Sequence, residues 1–160
     1  MKVKLFLFGL FIFIFSIRLQ ASDETLNIDS LIIKASKEKK QLLVFFHMTH
    51  CGYCKRMKNI TLQDSNVQKK IKKHFLFRDI NINDKEKVLF QNQNYSKKKF
   101  AHSLDVDFFP TVLFFDNNGE ITYTVRGHRK IKKFQKILEY IKTKSYENID
   151  FFDYSKSEKK

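Results

Sequence analysis

The sequence predicts an α/β domain with a mixed central β-sheet of about four strands flanked by helices. Three observations predict it. The apolar run Leu42-Leu43-Val44-Phe45-Phe46 reads as a buried strand and leads through a short loop to Cys51-Gly52-Tyr53-Cys54. Val112–Phe115, the turn residues Asp116-Asn117-Asn118-Gly119 and the alternating Ile121, Tyr123 and Val125 read as a hairpin. Ile131, Phe134, Ile137, Leu138 and Ile141 then recur at helical spacing.

Taken in order, residues 1–21 read as an export signal. Lys2 and Lys4 form a basic start, Leu5 to Ile17 is almost continuously apolar, and Ala21 offers a small residue for cleavage. Leu19 stands where a second small residue is preferred, so cleavage and retention as an amino-terminal anchor are both open. No cysteine stands directly after the apolar run, which excludes a lipoprotein. Residues 22–144 are expected to form the domain. Asp29 is a candidate N-cap for a helix of about ten residues carrying Leu31, Ile32 and Ala35. The helix after Cys54 is expected to pass Met57, to break at Thr61–Gln63, and to restart under a cap from Asp64 or Ser65. Phe75 to Ile82 is the next strand. Residues 83–96 are polar and read as an insertion or long loop, with one helical turn near Val88–Phe90. Lys97 to Leu104 is a short helix, followed by the hairpin and the closing helix. Residues 145–160 show no period and are expected to be a mobile tail.

The chain has 160 residues, enough for one domain with a real core, and its 18 Phe and absent Trp make that core aromatic and aliphatic. Its formal charge is +14, or +11 without residues 1–21. The lysines are dispersed through helical stretches and no nucleic-acid motif is present, so the charge reflects a general lysine bias and nucleic acid is not an expected partner.

Cys51 and Cys54 are the only cysteines. At positions i and i+3 of a helix their sulfurs share a face. The first sits where free N–H groups and the positive end of the helix dipole favour a thiolate. A thiol of pKa about 8.5 is roughly 3% ionised at pH 7, and a pKa of about 6 would make it roughly 90% ionised. Cys51 is therefore the candidate nucleophile and Cys54 the resolving thiol. A structural disulfide and a zinc site are the competing readings. Zinc would need two further ligands from His47, His50, His74, His102 or His128, none of which forms a second paired motif. The pattern calls for neither metal nor organic cofactor.

With Cys-x-x-Cys after the first core strand and Pro110 at the start of the third, the order of elements resembles the thioredoxin superfamily from about Asn27 to Lys144. More narrowly, Lys34–Phe46, Cys51–Lys55, Thr61–Lys69 and Phe109–Gly119 look like exported thioredoxin-like proteins. These include the SoxW type and the carboxy-terminal periplasmic domain of the transmembrane disulfide reductase. The resemblance implies a cis Pro110 against Cys51, with the Phe109 backbone pairing with an incoming peptide and Gly52 and Tyr53 completing the substrate contact. Three departures stand out. Phe45 occupies the place of the family's buried acid, which leaves His47 and His50 as candidates to tune the thiols. Gly52-Tyr53 replaces the thioredoxin Gly-Pro and matches the periplasmic disulfide isomerase. The dimerisation domain of that isomerase has no room here, so a monomer is expected.

The leading expectation is a periplasmic thiol–disulfide oxidoreductase reducing protein or small-molecule disulfides, supplied by a membrane electron donor. The same exchange run in reverse would make an oxidase or isomerase of exported proteins, with a membrane acceptor. A non-catalytic binding module of the same fold is the third reading.

Overall fold

The computed structural model describes residues 25–157, so the export-signal expectation for residues 1–21 lies outside the described residues. Secondary structure opens with a two-residue strand β1 (Leu26–Asn27) and helix α1 (Ile28–Lys37). Asn27 rather than Asp29 caps α1, accepting from the Ser30 N–H at 2.8 Å. Asp29 instead accepts from the Gln91 N–H at 2.9 Å, a long-range partner that local sequence does not reveal.

Strand β2 (Gln41–His47) is the middle of the molecule, with Leu42 through Phe46 fully buried. It is followed by α2 (Gly52–Arg56), a π turn (Met57–Thr61), α3 (Ser65–His74) and β3 (Phe75–Asn81). Asp64 caps α3 through the Asn66 and Val67 N–H groups. Further on come β6 (Thr111–Phe115), β7 (Ile121–Arg126) and α5 (Ile131–Lys142). The main sheet has the order β3-β2-β6-β7, with β2 parallel to β3 and antiparallel to β6. It is therefore mixed and four-stranded, as expected. Asp116 Oδ1 accepts from Asn118 and Glu120 to close the β6–β7 turn, and Gly119 takes the left-handed φ of +86° there.

Because side chains alternate along a strand, β2 feeds two cores. Leu42, Val44 and Phe46 join α1 on one face. Leu43 and Phe45 join α3, α5 and Met57 on the other. Each fully buried Leu, Val or Phe contributes about 1.5–3 kcal/mol of hydrophobic stabilisation, so this one strand anchors both layers.

Two further expectations are corrected. Residues 83–96 are not a loop with a helical turn. They hold the hairpin β4 (Lys87–Phe90) and β5 (Gln93–Ser96), and β4 also pairs with β1 to make a second, three-stranded sheet. Gln91 and Asn92 both adopt positive φ, which makes the two-residue link without glycine. Val88 and Phe90 point inward against Phe100, which lies on α4 (Lys97–Ser103). At the start of α4, buried Lys97 reaches Glu86 at 2.6 Å and Asp84 at 3.0 Å, tying the hairpin to the helix.

Nor do residues 145–157 form an unstructured tail. Ser145–Glu147 makes a 3-10 turn and Phe151–Ser157 forms helix α6. Tyr146, Phe151 and Tyr154 pack on the second core, their rings 5.0–6.3 Å from Tyr140. Tyr140 Oη donates to the Ile149 carbonyl at 2.6 Å, which satisfies a hydroxyl that burial would otherwise penalise.

Candidate active site

The carboxyl end of β2 hands the chain to residues 48–51, and neighbouring β3 holds that loop in place. Ile82 donates its N–H to the His47 carbonyl at 2.9 Å. Asn83 Oδ1 accepts from the Thr49 N–H, and Asn81 donates to Thr49 Oγ1. His50, with φ of +59°, makes the turn into α2. Cys51 is then the N-cap of α2, its Sγ accepting from the Cys54 N–H at 3.1 Å.

Cys51 and Cys54 are joined by a disulfide of 2.00 Å. Cys51 is half-buried, whereas Cys54 is 3% exposed. An incoming sulfur therefore meets Cys51 first. A Cβ added at Gly52 would meet nothing within 4 Å, and Tyr53 is 64% exposed, so the surface over the disulfide is open. The Phe109–Pro110 peptide is cis, and the Phe109 carbonyl oxygen lies 3.9 Å from Cys51 Sγ. Pro110 is buried and its carbonyl accepts from the Gly127 N–H at 2.7 Å. The Phe109 ring packs against the first core, while Phe108 projects into solvent at 70% exposure. The apolar side chain offered to solvent beside the cis peptide is thus Phe108.

The two histidines part company. His50 is exposed on the rim of the cleft that Cys51 lines. His47 is 13% exposed in its side chain, stacks on Phe45 at 5.2 Å, and places Nε2 2.5 Å from Asp79 Oδ1. Lys58 reaches the other Asp79 oxygen at 2.6 Å. Burial pushes the Asp79 carboxyl up, but hydrogen bonds from His47 and Lys58 outweigh it and hold its pKa below the ordinary value. His47, Lys58, Cys51 and Cys54 all line one cleft of about 600 Å³.

Sequence reasoning missed Asp79 and Lys58. Asp79 pairs in register with Phe45 on the next strand, so the carboxylate that holds His47 and Lys58 stands beside the central strand, not on it. Lys58 carried a legible signal, being one helical turn beyond Cys54. Among the described residues, no group of three or more His, Cys, Asp or Glu side chains is placed to hold a metal ion. Nor is any helix among them long and apolar enough to cross a membrane.

Comparison with known proteins agrees with this fold. The model of a thioredoxin-like domain matches residues 28–142. A thioredoxin-fold protein from Helicobacter pylori is 27% identical, with a TM-score of 0.61 over 74% of this chain and 80% of that one. A Thermus thermophilus thioredoxin is 21% identical, with a TM-score of 0.59 over 72% of this chain and 84% of its own. The carboxy-terminal domain of Neisseria meningitidis DsbD, in its oxidised form, is 20% identical, with a TM-score of 0.52 over 70% of this chain and 90% of its own. No curated protein matches the sequence.

Proposed function

The chain belongs to the thioredoxin-like domain family, and from that premise we propose that it is an exported thiol–disulfide oxidoreductase that reduces protein or small-molecule disulfides. The single observation that carries this reading is the Cys51–Cys54 disulfide, accessible at its first sulfur, with an unhindered surface above it and the Phe109 carbonyl beside it.

In the reduced protein, Cys51 thiolate attacks one sulfur of the substrate disulfide. A Cys51–substrate disulfide forms, and the other substrate sulfur leaves as a thiolate that takes a proton from solvent. Cys54 then gives up its proton, attacks Cys51 Sγ, and releases the second substrate thiolate. Two electrons pass from the dithiol to the substrate, and the protein ends with the Cys51–Cys54 bond seen here.

Cys54 is buried and needs a nearby base. His47 lines the same cleft and is oriented by Asp79, so it receives that proton, with Lys58 balancing the Asp79 charge. Gly52, Tyr53, Phe109 and Pro110 form the surface on which the substrate chain lies, and His50 adds a cation beside Cys51 when protonated.

The export pattern in residues 1–21 supports a periplasmic location for a domain spanning 22–144 with a carboxy-terminal extension of residues 145–160. The sequence resemblance to the carboxy-terminal periplasmic domain of the transmembrane disulfide reductase favours reduction, with electrons drawn from a membrane donor. The protein acts as a monomer.

The test is disulfide exchange with a protein substrate. Cys51→Ser should abolish it, and Cys54→Ser should accumulate a substrate-linked disulfide visible as a heavier band without reductant. Full activity in Cys51→Ser would rule the mechanism out.

A further inference from the structure

A second cleft flanks the active-site helix. A π turn carries one more residue per hydrogen-bonded ring than an α-helix, and Met57–Thr61 leaves Ile60 55% exposed. Thr61, the next residue, is buried and donates to the Arg129 carbonyl at 2.7 Å, fastening the turn to the loop before α5. Between turn and loop lies a space of about 470 Å³, lined by apolar Ile60 and Ile131 and by the cations Arg56, Lys130 and Lys132. Among the described residues, no carboxylate lines it. His128 also borders it, and burial together with Arg56, Arg129 and Lys130 holds that imidazole below its ordinary pKa, consistent with concentrated positive potential.

Two contacts tie the walls of this cleft to the residues around the dithiol. The Arg56 guanidinium stands 5.9 Å over the Tyr53 ring, between the two cysteines in sequence. Gly127, just before His128, is bonded to the Pro110 carbonyl. A substrate whose sulfur reaches Cys51 therefore lays its neighbouring residues against an apolar strip bordered by cations. Resting on the reading of Cys51 and Cys54 as the exchanging pair, we propose that this cleft selects protein substrates whose disulfide is flanked by acidic residues. The carboxylates pair with Arg56, Lys130 and Lys132, while an apolar side chain between them covers Ile60 and Ile131. Opposite charge at such a surface raises encounter rates by about 10–1,000-fold at low salt and is screened at high salt.

The chain is basic elsewhere too, and that supplies the control. A cleft lined by Lys39, Lys40, Lys142 and Lys144 includes Gln41, at the start of β2, the strand whose other end leads to the dithiol. At about 3.3 Å per residue, the two ends of β2 are roughly 20 Å apart.

The experiment uses the reduced full-length chain and two synthetic peptides. Each carries one cysteine capped as a chromogenic mixed disulfide, with flanks of Glu and Leu in one and Lys and Leu in the other. The acidic peptide should react about tenfold faster at low salt, and the ratio should approach one in 0.5 M salt. Arg56→Glu with Lys132→Glu should collapse the ratio, whereas Lys39→Glu with Lys144→Glu, the same change in net charge, should leave most of it. Thermal melting of both pairs would confirm folding. Equal rates for the two peptides, or equal loss in both variant pairs, would overturn the cleft as a selector while leaving the exchange reaction intact. Reaction with neither peptide would overturn the exchange reading itself.

Discussion

Glu139 offers a prediction whose size can be worked from the structure. It lies on α5 and accepts from Lys142 Nζ at 2.7 Å and from Lys70 Nζ, on α3, at 2.6 Å. It thereby ties the two helices that cover the second core. Lys142 first, then Lys70, holds the Glu139 carboxyl at about 2, down from an ordinary 4.5. Each pKa unit corresponds to about 1.36 kcal/mol, which sets a ceiling of about 3.4 kcal/mol. The side chains of Lys142 and Lys70 are 37% and 36% exposed, so solvent screening reduces this to about 1–2 kcal/mol. Because the folded-state value is depressed, this stability is present above pH 4.5 and is lost as pH falls through about 2. Glu139→Gln should therefore lower Tm by about 3–6 °C at pH 7. Urea unfolding of both proteins from pH 7 to pH 2 should show the difference shrinking towards zero. A difference that stays constant over that range would refute the ion-pair reasoning and assign the effect to packing.

Other predictions follow from the same kind of reading. Asp79→Asn should leave the first attack by Cys51 near normal but slow release from the mixed disulfide about tenfold, with a changed pH profile for release alone; stopped-flow separation of the two steps tests this, and equal slowing of both would place Asp79 in the structure rather than in proton transfer. Lys97→Met should cost about 2 kcal/mol at pH 7, below the figure for fully buried pairs because Asp84 and Glu86 are partly exposed. Burial pulls the Lys97 pKa down, but Glu86 and Asp84 raise it overall, so this stability is present below the ordinary lysine value and is lost as pH rises through the higher folded value; stability unchanged by the substitution would contradict the pairing. Phe100→Ala should cost about 3–5 kcal/mol, since its ring meets Phe46, Phe90 and Tyr95, and denaturant unfolding would show it.

What could be read from the chain depended on whether the determining interaction was local. Five consecutive apolar residues in β2, an i, i+3 cysteine pair and an Asp-Asn-Asn-Gly turn each carry their structure within a few residues. The four-stranded sheet and the placement of Cys51 at a helix start followed from them. The β4–β5 hairpin did not, because Gln91-Asn92 lacks the glycine that marks a tight turn and the inward Val88 and Phe90 sit in a polar stretch. Its decisive contacts, Phe100 and the Lys97 ion pairs, come from the following helix. Helix α6 shows Phe151 and Tyr154 one turn apart, yet their partner is Tyr140, on a different helix. Asp79 was hidden for the same reason, since only the β2–β3 register sets it beside Phe45 and within reach of His47 and Lys58.

The most direct measurement is the reduction potential of the Cys51–Cys54 couple, titrated in the full-length chain against dithiothreitol or glutathione buffers. The proposed reductase predicts a reversible two-electron transition at about −270 mV, in the thioredoxin range. A reversible value between about −120 and −180 mV would contradict the reducing direction and make the protein an oxidant or isomerase. A pair that does not titrate reversibly would contradict dithiol exchange altogether.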